Sequence, residues 1–363
     1  MMGLDRYIRR TAAWLAPVAG CAIAAAAWQG AGGPALERLA HAQSDRAAGT
    51  EALLDEDILA GFDPVAMTTS YEPPANCPGI PVGGYPGVTN DRFYFLSEVG
   101  GCANLPCFLA DVEGTEHANA TLVIDEVCTL TEPIQIPSRF TVAGVGPAGE
   151  GMLVFQNLPD HAAAINVAPA VTQGGISEIV IRDLSVFRGA GGVWNSGINV
   201  SGGNIVSLQG VRVNGFAVGL FGRDAYSVRV DQSTFYGNDF NIMIHRNANH
   251  WSVRDSTLSL AAHYSVKIFG PSDGPGDWNN DHVFSGVRFE GSGLGAMRLG
   301  SYGAMLMNNR FESNGTDGVS LTSSASGTRV ISNLFSTDVV HDLGQGTKCG
   351  FNIGLPAGSC PGD

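Results

Sequence analysis

The strongest constraint in this 363-residue sequence is a phrase that repeats. Residues 308–323, NNRFESNGTDGVSLTS, read as a polar pair, an aromatic, a Gly/Asn-rich turn and a run in which apolar residues alternate with small ones. The apolar residue that closes the first run recurs as Val186, Val213, Phe235, Leu258, Phe289, Phe311 and Phe335, at spacings of 27, 22, 23, 31, 22 and 24. A polar stretch precedes it in the later units, as DQST before Phe235, RDST before Leu258 and MNNR before Phe311. A second run follows in each unit: VGLF at 218–221, IMIH at 242–245, VKIF at 266–269, MRLG at 297–300 and VSLT at 319–322. AINV at 164–167 and GINV at 197–200 are earlier members.

A period of about 22–24 residues with two or three short strands per unit fits a parallel β-helix. A leucine-rich repeat would show a Leu-x-x-Leu-x-Leu-x-x-Asn frame, which is absent. A propeller needs about 40 residues per blade. The composition agrees, because 49 Gly and only 15% charged residues suit a turn-rich β chain better than a helical bundle built on Glu, Lys and Leu. The expectation is an all-β fold, a parallel β-helix of about ten coils. Coils stack at strand spacing, about 4.8 Å, and alternate residues point into a narrow core.

A solenoid has two open ends that invite edge pairing. The cysteines mark them. Residues 1–42 have the form of an export signal: Arg6, Arg9 and Arg10, the apolar run TAAWLAPVAGCAIAAAAW, and the small-x-small site AHA at 40–42. VAGC at 18–21 offers an alternative, a lipid anchor at Cys21. Beyond the leader remain Cys77, Cys102, Cys107, Cys128, Cys349 and Cys360, an even set clustered near the two ends. This predicts disulfide-bearing caps, Cys349 with Cys360 at one end and undetermined pairings among the other four, with none inside 130–345. Residues 43–85 are acidic and Pro-rich and read as a flexible linker, leaving 86–363 as the β-helix with its caps. The expected location is secreted or periplasmic, with no membrane span in the mature chain. The leader takes four of the 20 basic and two of the 34 acidic residues, leaving 16 and 32. Such a charge disfavours nucleic acid and anionic membranes as partners. The sequence leaves the oligomeric state open.

The texture of roughly residues 85–350, and phrases such as NNRFESNGTDGVSL, resemble the right-handed β-helices of the pectate-lyase-like superfamily, including its tailspike-like branch. The resemblance implies a substrate groove along an outward strand face and a polysaccharide as partner. GTDG at 315–318 is similar to the Asn-Thr-Asp-Gly of polygalacturonases. The Asp-Asp, Gly-His-Gly and Arg-x-Lys motifs that follow in those enzymes are absent, so Asp317 reads as a turn residue. Lys267 followed by GAMRLG at 295–300 resembles the Lys and Arg pair of chondroitinase-B-like and alginate lyases. LSLAAHYSVK lacks the acidic metal ligands that those enzymes place before the Lys. The Arg-x-Pro-x-x-Arg motif of typical pectate lyases is also absent.

In the second run, the residue between two inward apolar positions points outward. That stripe reads Asn166, Asn199, Gly219, Met243, Lys267, Arg298 and Ser320, with Asn241 and His245 as flanking outward positions. Lys267 and Arg298 then stand on adjacent coils. A Lys beside another cation is a candidate base, and an Arg neutralises a carboxylate, a pairing suited to β-elimination on a uronic-acid sugar. His245 is a candidate acid or base. Asn199, Asn241, Tyr264, Trp194 and Trp278 are candidate substrate contacts. The insert GPSDGPGDWNND at 270–281 should overhang the groove, with Asp277 and Asp281, beside Asp273, as candidate Ca²⁺ ligands. Its spacing differs from an EF-hand loop. Either solvated cations along the sheet or a surface loop with its Trp tucked in would account for the same residues without chemistry.

The sequence therefore points to an exported β-helix that binds an extracellular uronic-acid polysaccharide and cleaves it by β-elimination if it is catalytic. A non-catalytic carbohydrate-binding or adhesion module is the first alternative. An epimerase or hydrolase on the same scaffold is the second.

Overall fold

The computed structural model describes Leu59, residues 61–63, Ala66, Cys77, residues 93–112, 119–145, 151–167, 178–271, Asp273, and residues 277–315 and 317–360. The expected leader, Cys21 and most of the 43–85 linker lie outside the described residues. No described helix is long and apolar enough to cross a membrane.

The chain winds through three parallel sheets of 11, 9 and 9 strands, called here A, B and C. Each coil contributes one strand to A, then B, then C, and the next coil pairs in parallel with the one before. Among the described residues nine complete coils result, with one extra A strand at each end, Phe93–Phe95 and Lys348–Gly350. This is a right-handed parallel β-helix, the hand that crossovers between parallel strands take. The predicted alignment is the register of sheet B: Val186 pairs with Val213, then Phe235, Leu258, Phe289, Phe311 and Phe335 in turn. All are buried. The last three rings stack nearly parallel, with centroids 4.9 and 4.6 Å apart. Ring stacking at strand spacing is what an in-register parallel ladder imposes on identical side chains.

The corners explain the polar half of the repeat. Entering sheet B, one residue per coil sits in the left-handed region: Asp183, Gly210, Gln232, Asp255, Gly286, Asn308 and Ser332. Gly, Asn and Asp tolerate that conformation best. Beside this column runs an internal amide ladder. The side chain of Asn309 accepts from Val287 N–H at 2.9 Å and donates to Phe284 C=O at 2.9 Å. Asn333 repeats both contacts one coil on, accepting from Asn309 N–H and donating to Leu306 C=O. Asn238 and Asn314 perform the same service at the corner between B and C. Of the three asparagines in NNRFESNG, Asn309 and Asn314 are thus buried ladder members, and Asn308 takes the turn conformation. Asn309→Ala is expected to cost about 2–4 kcal/mol, because two buried backbone groups lose their partner. Denaturant unfolding measures it, and a loss below about 0.5 kcal/mol would contradict the ladder's role.

The ends are closed as predicted. A helix, Leu105–Val112, lays Leu105, Phe108, Leu109 and Val112 over the first coils, with Phe108 against Tyr94 and Phe140. Cys77–Cys107 and Cys102–Cys128 tie this cap to the chain, and Cys349–Cys360 closes the other end. Three disulfides among the described residues are consistent with an oxidising compartment.

His282 is wholly buried just before the A strand Val283–Ser285, and neither ring nitrogen meets a protein partner. Burial lowers its pKa to about 3. The neutral ring is favoured in the fold, so its contribution to stability is present above the unfolded value near 6.5 and is lost as pH falls toward 3. Stability should therefore fall between pH 6.5 and 4, with a limiting slope of about 1.4 kcal/mol per pH unit for this group. Unfolding of wild type and His282→Leu across that range should show their difference changing with pH. A constant difference would remove His282 as the source.

Candidate functional site

Sheet C carries the second run of each coil. Its middle strands are Ala163–Val167, Ser196–Ser201, Val218–Arg223, Phe240–His245, Tyr264–Ile268, Gly295–Leu299 and Asp317–Leu321. Ile198, Leu220, Ile242, Val266, Met297 and Val319 pair in register and point inward. The next residue in each strand points outward, and the pairing gives the stripe: Asn166, Asn199, Phe221, Met243, Lys267, Arg298, Ser320, His341.

Two sequence expectations change here. Phe221, not Gly219, occupies the stripe, because Leu220 pairs with Ile198 and Ile242. Gly222 then holds the second inward position, where Trp251 from the next coil fills the space an aliphatic side chain takes elsewhere. Asn241 is not an outward substrate contact. It is buried at the corner, where it donates to Ser259 C=O and Ser265 Oγ and accepts from Asn238. Strict alternation fails there because Asn241 and Ile242 both turn inward, leaving Phe240 outside.

The outer face divides into two halves. One is apolar: Val218, Phe221, Phe240, Met243 and Phe269 form a cluster separate from the main core, and Leu59, Phe62, Trp194, Tyr264 and Leu294 pack against it. Beyond it Asn199 donates to Asn166 and accepts from Ser201. The other half is polar. Lys267 and Arg298 are paired neighbours, as expected. Lys267 is roofed over: its side chain is 1% exposed, Nζ lies 3.4 Å from Asp273 Oδ1, and the Phe269 ring centroid is 4.9 Å away. Asp273 also accepts from Gly270 N–H, so the insert is latched to the strand end. Tyr264 lies against Gly295. Asp317 opens the strand after Arg298, with His341 Nδ1 4.0 Å from its Oδ2. Burial raises the Asp317 pKa, and His341 and Arg298 partly oppose that shift. The sequence reading missed this group, because an Asp before a Gly looks like any turn.

His245 lies at the edge of the face. Its ring meets Phe269 edge-on at 4.9 Å, and Nε2 is 3.5 Å from Asp277 Oδ1. Burial, then Arg223 and Arg246, lower its pKa to about 4, so the ring is neutral at pH 7. Asp277 accepts from Arg246 N–H at 2.6 Å, and burial raises its pKa. Asp281 faces His250 at 3.9 Å on the far side of the insert. The three aspartates thus take separate partners, and no set of metal-ligating groups converges on them among the described residues. Trp278 is 56% exposed and stacks on Tyr302, centroids 5.8 Å apart and planes within 9°.

No protein-family model and no curated protein matches this sequence. Solved structures similar to it include ORF18 of Geobacillus virus E2, at 12% identity and TM-score 0.47 over 72% of this chain and 60% of that one. The catalytic domain of a GH87 α-1,3-glucanase gives 11% and 0.41, over 78% and 66%. The A-module of the Azotobacter vinelandii mannuronan C-5 epimerase AlgE4 gives 14% and 0.39, over 72% and 96%. The chain thus spans less than two thirds of the first two. At these scores the ladders of the chain itself, and not the likenesses, define its class: a parallel β-helix protein with a mixed aromatic and charged outer face.

Proposed function

We propose that the protein binds an extracellular polysaccharide along the outer face of sheet C and cleaves it by β-elimination at uronic-acid residues. The observation that supports this most is the register pairing of Lys267 with Arg298 on a face that continues into an aromatic floor. In this reading Arg298 binds the uronate carboxylate and stabilises the charge that grows on it. Lys267, once the Asp273 latch swings away and the ammonium gives up its proton to water, takes as a neutral amine the proton from the carbon beside the carboxylate. The electron pair forms the double bond, the bond to the glycosidic oxygen breaks, and Asp317 supplies that oxygen's proton, a role that its raised pKa suits. Trp194 and Trp278 bind flanking sugars.

Burial raises the Asp277 pKa and the nearby Asp273 adds to that shift, which favours one second reading, hydrolysis, since that needs a carboxyl that keeps its proton near a second carboxyl that does not. Incubation with alginate, pectate and chondroitin separates the readings. Elimination yields an unsaturated product absorbing in the ultraviolet, whereas hydrolysis yields reducing ends without that absorbance. Binding without either product would leave the carbohydrate-binding module.

A further inference from the structure

We infer that the slot holding the Phe62 ring is a subsite for one pyranose ring of the polysaccharide, and that Phe62 and the sugar exclude each other. This rests on the reading of the outer face of sheet C as the polysaccharide site. Phe62 comes from the stretch whose sequence reads as a linker, yet its ring sits among three rings of the β-helix. Trp194 lies 5.2 Å away at 55°, Phe221 6.0 Å away at 77°, and Phe269 6.2 Å away at 16°. Leu59 packs beside it, and Gly61 passes close to the Trp194 indole nitrogen. Phe62 N–H donates to Leu59 C=O, and Ala66 N–H to Asp63 Oδ1.

The slot suits a sugar better than it suits a phenyl ring. A pyranose presents a flat face of C–H groups about the size of a benzene ring, and its hydroxyls lie around the rim. Here the floor is aromatic and the rim is polar. Lys267 Nζ and the ring centroid of His245 both stand 4.9 Å from the Phe269 ring centroid, and Asn199 lies in the stripe next to Phe221. Phe62 has no polar atom with which to use that rim. It covers the apolar floor while no sugar does, which an outward-facing patch of five apolar side chains in water favours.

The arrangement is also built to reverse. Cys77, fifteen residues beyond Phe62, is bonded to Cys107 in the end cap. A displaced Phe62 therefore stays within a short tether and competes at high effective concentration. A ligand must offset that closure, so the apparent Kd is the intrinsic Kd divided by the open fraction.

The test uses the full chain, wild type and Phe62→Ala, with hexasaccharides of alginate and of pectate as probes. Hydrogen exchange of peptides spanning 59–66 and 218–223 reports closure without ligand, and calorimetry reports Kd. Faster exchange in both peptides and an affinity about 10–100-fold higher in Phe62→Ala are expected. Phe62→Trp, which keeps a ring in the slot, should bind no tighter than wild type. Unchanged exchange in Phe62→Ala would overturn the inference. So would faster exchange with an equal Kd for both proteins, although the polysaccharide reading would then stand. If Phe62→Ala opens but neither protein binds either probe, the uronate reading fails, and the subsite falls with it.

Discussion

Lys267→Ala is expected to lower the rate of uronate cleavage by about 10²–10⁴-fold, the usual loss when a general base is removed. The same side chain latches the 270–281 insert through Asp273, so the variant also tests a purely structural role. The two roles separate in the kinetics. A base contributes in the transition state, so kcat should fall with little change in KM. A latch acts on the loop, so its loss should lower Tm and shift KM while kcat survives in the folded fraction. Asp273→Asn divides them again, because it weakens the latch and leaves the amine. If the amine is the base, Asp273→Asn should retain turnover and Lys267→Ala should not. Equal losses in both would make the ion pair structural. Arg298→Ala should raise KM and lower kcat together, since the carboxylate is bound before and during elimination.

The coil was legible because its signals are local and repeat. The sheet B residues from Val186 to Phe335 recur at one position, and the register confirms that alignment at every step. The outward stripe was legible for a similar reason, with Lys267 and Arg298 each flanked by inward apolar residues. The failures occur where a distant residue changes the local rule. Asn241 breaks alternation because the corner needs its amide to bridge Ser259 and Ser265. Gly219 and Phe221 were exchanged because the inward space at Gly222 belongs to Trp251. The Asp273 latch, the Asp317–His341 contact and the Phe62 ring all depend on how coils and insert meet in space. Composition reads 59–66 as part of the acidic, Pro-rich linker and gives no sign of the Phe62 ring contacts.

Gly222→Val tests that exchange directly, and it should destabilise the fold by about 3 kcal/mol or more. Val200 and Ile244 are the pairing partners of Gly222, so an aliphatic side chain there would match the ladder. The space is already filled. A Cβ at 222 would stand 2.1 Å from Cζ2 and 2.3 Å from Cη2 of Trp251. That indole is 1% exposed and donates to Ala225 C=O at 3.1 Å, so it cannot yield without losing a buried hydrogen bond. Trp251→Ala alone should cost about 3–5 kcal/mol, through the cavity that it opens. The two changes are complementary, since valine partly refills what the indole vacates. The double variant Gly222→Val/Trp251→Ala should therefore be more stable than the sum of the single losses implies, by about 1–3 kcal/mol of coupling. Strict additivity would mean that the two residues do not share this space, and the bare second inward position at Gly222 would lose its physical cause.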